Sequence, residues 1–478
     1  MWKTLLLAGL IGLFAQSVQT QQRVAEPPIG PLFVRLSVAA VDARGNPVTD
    51  LKSDELKITD AGKPQQILYF HRDESEPGTA AKLAPGEYSN RNGGTNPRAT
   101  VILFDLLNES MSNRGFGTGE IAHALQKLEA TDYVYIYMLT KDGSVYPVHP
   151  VPPLNELLLP VVPWTEKLNS TLDAALRTVT QRKTVDMRLT TEYIGASYQA
   201  LQAMAVEMAP IPGPKNLIWI SHGVPMYLRI PGQEMVEFTS QVRALSAALE
   251  RENVALVPVI LGQSLNVDER ETMETLATLT GGPPNISDDV AGAIHQALQA
   301  QRARYRVAYD PGAKTWDHKF HKIKMTCTRP GIRIQSEQGY TADDTQQMPE
   351  QAAIAIALGS PFDIREIGLR ATIVPNAAKT TSLQMRVNVP DLLLQRSGDR
   401  YQGELVISTA RYHADGQTPK SNAIPVKLDL TEKQRDDLLA NGFTATDNDP
   451  LSSDTEKIRI VVYDRGSGSI GALTAVIR

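Results

Sequence analysis

The chain has 478 residues, 42% of them hydrophobic and 21% charged, with a formal charge of −5 at pH 7. That is too long for one ordinary core, so two or three domains are expected. The acidic balance argues against a general nucleic-acid binder, which carries net positive charge.

Met1 to about Gln22 has one positive charge at Lys3, an apolar run from Leu5 to Phe14, and small and polar residues at Ala15, Ser17 and Thr20. This is the layout of a secretory signal peptide, read as residues 1–22; the apolar run is too short to span a bilayer, which favours cleavage over an uncleaved anchor. No cysteine stands there to carry a lipid. The remainder has no apolar run of about 18 residues, so no membrane span is expected in the mature chain. The single cysteine, Cys327, excludes an internal disulfide; an exported chain of this size then relies on its core, which suits a bacterial periplasmic or secreted location. Cys327 alternates with Lys324, Thr326 and Thr328 in phase with Ile323 and Met325, the pattern of a residue packed inside a strand.

Residues 30–72 read as a β module. Val34, Leu36 and Val38 alternate with polar or small residues, Leu56 to Thr59 forms a second strand, and Asp60-Ala61-Gly62-Lys63 makes a hairpin turn before Gln66 to Phe70. So few strands are marginal alone, so pairing with strands from elsewhere is expected. Residues 73–98, dense in proline, glycine and asparagine, read as a linker.

From 99 to 301 the period changes. Val101 to Phe104 is a continuous apolar run ending in Asp105, as in a parallel strand buried on both faces. Helical spacing follows at Ile121, Leu125 and Leu128, then strands at Tyr133 to Leu139 and Val145 to Val148. Helical faces recur at Leu172, Leu176 and Val179, and at Ile194, Tyr198 and Leu201. Asn216 to Ile220 and Val254 to Ile260 read as strands; Val236 to Leu249, Met273 to Leu279 and Val290 to Gln301 read as helices. Alternation of this kind predicts an α/β fold around a central doubly wound, mostly parallel sheet.

Residues 302–342 return to strand alternation and are expected to pack with the N-terminal module; their lysines and arginines, on alternate positions, read as a solvated sheet face. A short helix follows Pro349. Residues 355–478 then alternate in many strands, the pattern of a C-terminal β-sandwich, interrupted by one helix that Thr431 and Gln434 cap and Gly442 ends. The glycines between Arg465 and Ser469 read as a hairpin turn.

Taken in order, the segments VDARGNPVTDLKSDELKITDAGKPQQI, LAPGEYSNR, NLIWISHGVP, LATLTGG, KFHKIKMTCTRPGIRIQSEQGY and IRIVVYDRGSGSIGALTAVIR resemble the von Willebrand factor type A-related proteins of acidobacteria. The resemblance covers nearly the whole mature chain. It implies an exported protein with a type A domain flanked by β modules and no established catalytic activity.

Type A domains commonly hold a divalent cation through an Asp-x-Ser-x-Ser loop, a threonine and a second aspartate, leaving one position for an acidic group of the partner. Here Asp105 matches the first acid, but Leu107 and Glu109 stand where the serines belong, while Asn108 and Ser110 each come one residue late. Thr190 or Thr191 could supply the threonine, and His222 replaces the last aspartate. Leucine cannot ligate and imidazole suits softer metals, so the site reads as degenerate and no cofactor is expected. The minor alternative is a divalent cation on Asp105, Ser110, Thr191 and His222. Asp105, Asn108, Ser110, Thr190, Thr191 and His222 are therefore the candidate partner contacts, at the strand edge where ligands bind in open α/β sheets. Asp105 could equally be a loop-capping acid bonded to backbone amides.

An enzyme is not expected. Asp105 lacks the second carboxylate two residues on that phosphoryl transfer needs, and phosphate-loop, nucleophile-elbow and zinc-protease motifs are all absent. His318 and His321 fall on opposite faces of a strand, which argues against a shared metal. The expected function is recognition of an unidentified protein partner in an adhesion-type role; the alternatives are a structural or assembly role in the cell envelope, and a hydrolase built from residues distant in sequence. Partner identity and oligomeric state are not encoded in these patterns.

Overall fold

The computed structural model describes residues 33–72, 83–91, 98–109, 111–125, 132–154, 168–181, 190–229, 232, 234–261, 267–283, 286–302, 304–312, 316–342, 348–375, 381–413, 420–447, 449, 451–452 and 454–477; for some residues near element ends, 111–114 and 190 among them, it describes the backbone alone. The proposed signal segment lies outside the described residues. No described helix is long and apolar enough to cross a membrane.

The run Val101–Phe104 is wholly buried and lies in the strand Arg98–Asp105, the middle strand of five. Its neighbours Asp132–Leu139 and Lys215–Ile220 pair with it in parallel, and Val254–Val259 pairs in parallel with Lys215–Ile220. Val145–His149 closes one edge antiparallel. Successive side chains point to opposite faces, so one run serves two cores. Val101 and Leu103 pack with helices α3 (Thr190–Glu207), α4 (Thr239–Arg251) and α5 (Val267–Leu279). Ile102 and Phe104 pack with α1 (Met111–Leu125), α2 (Leu168–Gln181) and α6 (Val290–Arg302). Gly117 lets α1 come close, since a β-carbon there would lie 2.6 Å from the Phe104 ring.

This sheet does not define the molecule. Of the described residues 41% are strand and 28% helix, and the other five sheets among them are antiparallel. The expected α/β class with a central doubly wound, mostly parallel sheet is therefore corrected to a strand-rich fold of several sheets. Antiparallel strands need no crossover helix, so the segments outside 99–301 supply most of the strands with few helices.

Val34–Val41 pairs with Arg304–Tyr309, and Leu56–Asp60 with Phe320–Cys327, so segments nearly three hundred residues apart share one apolar cluster. The turn at Ala61 and Gly62 has positive φ at both residues, the backbone that a two-residue hairpin requires. Lys322 and Lys324 face solvent while Ile323 between them is buried. His321 Nδ1 lies 3.1 Å from Asp60 and its Nε2 3.0 Å from Asp317, which engages both ring nitrogens.

The stretch read as a linker differs from that reading. Glu87–Ser89 forms a strand on Leu369–Pro375, and the buried Asn90 donates to the carbonyls of Ile364 and Ile367 while accepting from Leu369 N–H. Asparagine signals a turn in sequence; here its amide satisfies backbone groups of another segment. That strand lies in a four-stranded sheet that shares its apolar cluster with the sheet containing Arg400–His413 and Thr455–Asp464. Helix α7 (Glu350–Gly359) lies against the same sheet. Helix α8 (Glu432–Asn441) begins at a capping box of Thr431 and Gln434 and stops at Gly442, whose φ is +76°.

Candidate functional site at the carboxyl edge

The chain turns sharply after Asp105. Leu106 packs towards α1 and α6, Leu107 against the core on the opposite face, and Leu106 N–H extends the ladder to Leu139 O. The next strand in sequence lies on one side of Arg98–Asp105 and Lys215–Ile220 on the other, the change of strand order beside which open α/β sheets bind ligands.

Asp105 has no exposed surface. Its Oδ1 accepts from the backbone N–H of Leu107 and Asn108, each at 3.0 Å, forming an Asx turn. Its Oδ2 accepts from Ser221 Oγ at 2.7 Å, Asn108 Nδ2 at 2.7 Å and Trp219 Nε1 at 3.3 Å. Burial pushes the carboxyl above its usual value, while the Ser221, Asn108 and Trp219 hydrogen bonds pull it back down. Two more bonds anchor the cluster: Asn108 Nδ2 also donates to Ser197 Oγ on α3 at 2.9 Å, and Ser221 Oγ accepts from Gly223 N–H at 2.9 Å.

Five donors meet a carboxylate with about four lone-pair sites. No direction remains from which a cation could be ligated without displacing one of them. Leu107 stands in place of a hydroxyl ligand, so the described loop does not supply the oxygen set of a metal-dependent adhesion site.

Of the other candidates, Asn108 and His222 meet the Asp105 loop, and Thr190, Thr191 and Ser110 are not joined to it by any described hydrogen bond. His222 Nδ1 faces Glu109, 3.3 Å from Oε2, with the glutamate buried and the imidazole about one-third exposed. No described hydrogen bond pairs His222 with Ser221, so the two are not assembled as base and nucleophile. Thr191 is half-buried in the first turn of α3, and no described hydrogen bond joins it to Asp105. Thr190 opens the same helix with only its backbone described, and Ser110 lies outside the described residues.

Sequence reasoning missed Ser197, Trp219 and Ser221. Ser221 was findable, because it ends the strand adjacent to Asp105 and precedes His222. Ser197 carried no such signal; it reaches the loop only because α3 crosses above it. Tyr227, Met235 and Val267 are exposed on segments that follow the parallel strands, and Phe116 is exposed in the second turn of α1.

No family model and no curated protein matches the chain. Among solved structures, the manganese-loaded TRAP protein of Plasmodium vivax is similar over 55% of this chain and 97% of its own, at 10% identity and a TM-score of 0.25. A likeness so weak carries no argument about what this chain does.

Proposed function

We propose that the chain is an exported, non-enzymatic protein of adhesion type, related to the acidobacterial type A proteins, and that a protein partner docks at the carboxyl edge of the parallel strands. The observation behind this reading is the inward commitment of Asp105: its acceptors serve Leu107, Asn108, Trp219 and Ser221, so recognition falls to the surface around it rather than to an ion. What supports a contact role is that Phe116, Tyr227, Met235 and Val267, large apolar side chains, are exposed on the segments that follow the parallel strands. Export to the periplasm or beyond rests on the Met1–Gln22 pattern and on the single cysteine.

The test begins with the full chain immobilised on beads and envelope extract as the source of partner. A captured protein is purified and its affinity measured against the wild type and against Tyr227→Ser/Met235→Ser. Affinity should fall at least tenfold in the variant, about 1.4 kcal/mol or more, as for loss of an interface hot spot. Unchanged affinity would move the contact elsewhere and sink the reading.

A further inference from the structure

Beside the amino end of the strand Lys215–Ile220 lies a cavity of about 350 Å³, in the size range of small-molecule sites. The successive residues Phe33 to Ser37 all line it. Side chains alternate between the two faces of a strand, so a run without gaps sets the strand's edge, not a face, against the cavity.

That edge is open. Val34–Val41 pairs along one side with Arg304–Tyr309, but along the other Arg333–Gln335 covers only Ala39 to Val41. Arg35 stands opposite Ala308, whose carbonyl turns away to accept from Leu68 N–H. Opposed residues of an antiparallel pair point their backbone groups either at each other or both away, so the N–H and C=O of Arg35 face the open side. Ser37, two residues on, faces the same way. Its N–H donates to Glu337 Oε2 at 3.3 Å, where a further strand would place a carbonyl.

Four basic and four acidic side chains line the cavity, which suits a ligand of no net charge. Arg251 lies 3.3 Å from Glu252, Arg306 lies 3.2 Å from Glu366, and Glu337 feels Arg304. Lys215 is bound more loosely. It is 4% exposed and donates to Ile211 O at 2.8 Å, while Glu252 and Glu366 act on its charge without a described ion pair. Two of its three ammonium hydrogens have no partner among the described residues, and a carboxylate is the strongest acceptor for them. The remaining wall is largely apolar, with Phe33, Tyr69, Ile356 and Ala357 among its residues.

A free amino acid would bring a carboxylate but no amide for Arg35; a peptide brings both, and as a zwitterion it has no net charge. We propose that the cavity binds a short extended peptide, which adds to the open edge of Val34–Val41 through the N–H and C=O of Arg35 and sets its terminal carboxylate against Lys215. At about 3.3 Å per residue a tripeptide spans about 10 Å, within the length of the edge from Phe33 to Ser37.

Trialanine is the probe, titrated calorimetrically into the full chain at pH 7 beside free alanine, trialanine amide and trialanine N-methylated at its central residue. Trialanine should bind saturably, and amidation or N-methylation should each weaken it about tenfold, as for loss of one hydrogen bond or charge contact. Arg35→Pro removes the edge N–H and leaves the ladder to Arg304–Tyr309 intact, so it should weaken binding about tenfold, whereas Arg35→Ala keeps that N–H and should bind like the wild type. Lys215→Met should lower the affinity for trialanine to that of the amide and leave the amide unchanged. The N-methylated peptide tests the strand contact without altering the protein, should a variant fail to fold. No saturable heat up to about 10 mM, or equal affinity for the N-methylated peptide or for free alanine, would overturn the proposal.

Discussion

Asp105 at the carboxyl edge of the parallel strands and Glu337 at the amino edge are carboxyls that burial pushes the same way, in different circumstances. Asp105 is met by five donors from its own loop and the adjacent strand. Glu337 accepts one described hydrogen bond, from Ser37 N–H at 3.3 Å, and feels Arg304. A buried carboxyl with its acceptors filled holds a loop in shape; one with a single donor stores unfavourable free energy that a proton can release. The edge that the resemblance marks is therefore closed to an ion at Asp105, and the carboxyl at the other edge is less fully satisfied.

The largest effect that could break this contrast is at Asp105. Asp105→Ala leaves buried donors on Trp219, Ser221 and the Asn108 loop without their acceptor and should cost about 3–5 kcal/mol in denaturant unfolding. A loss below about 1 kcal/mol would mean that the hub does not hold the loop. Melting of the wild type in EDTA and then with Mg²⁺, Mn²⁺ or Zn²⁺ should give the same temperature throughout, since a ligand that binds only the folded state must raise it. A metal-specific rise lost in a folded Asp105→Asn variant would reopen the edge to an ion.

The amino edge should show itself through pH. Glu337 binds its proton more tightly in the folded chain than at its ordinary value of 4.5, so its contribution is complete below 4.5 and is lost as pH rises through about 7. Lys215 has the opposite sign: burial lowers it to about 8, so its contribution is complete above 10.5 and is lost as pH falls through about 8. Stability should fall between pH 5 and 7 and recover above 8. Glu337→Gln should flatten the fall by roughly 2 kcal/mol, a figure reduced for the solvent that still reaches the group. An unchanged profile in that variant would remove the contrast between the two edges.

The difference in legibility between the edges has a physical cause. The Val101–Phe104 run and its terminal acid were readable because burial on both faces demands a continuous apolar segment, and the Thr431–Gln434 capping box because its parts lie three residues apart. The fold class was misjudged because the 99–301 periodicity was weighed above the antiparallel strands around it. Glu337 could not be placed from sequence: it sits in a loop, and the pairing of Val34–Val41 with Arg304–Tyr309 and Arg333–Gln335 helps bring that loop to Ser37, whose N–H it accepts. Asn90 misled for a related reason, since its role depends on backbone groups some 275 residues away.

Ser221→Ala tests the hub more gently. It removes one donor to Asp105 and the acceptor of Gly223 N–H, and should cost about 1.5 kcal/mol while leaving four donors on the carboxyl. A loss as large as that of Asp105→Ala would show that the Ser221 contact alone holds the edge.

The smallest effect separates surface from hub on the same edge. Thr191 lies in the first turn of α3, half-buried and without a described hydrogen bond, six residues before Ser197, which does bond to the Asp105 cluster. Thr191→Ala exchanges a β-branched residue for a better helix former and leaves no buried donor behind, so stability should stay within about 0.5 kcal/mol of the wild type. Ser197→Ala, one and two-thirds turns along the same helix, should cost more because Asn108 loses an acceptor inside the cluster. If partner affinity falls for Thr191→Ala while stability holds, and stability falls for Ser197→Ala while affinity per folded molecule holds, contact and support are carried by different residues of one helix. If both variants lose stability alike, Thr191 belongs to the hub, and the docking surface must be sought among Phe116, Tyr227, Met235 and Val267 alone.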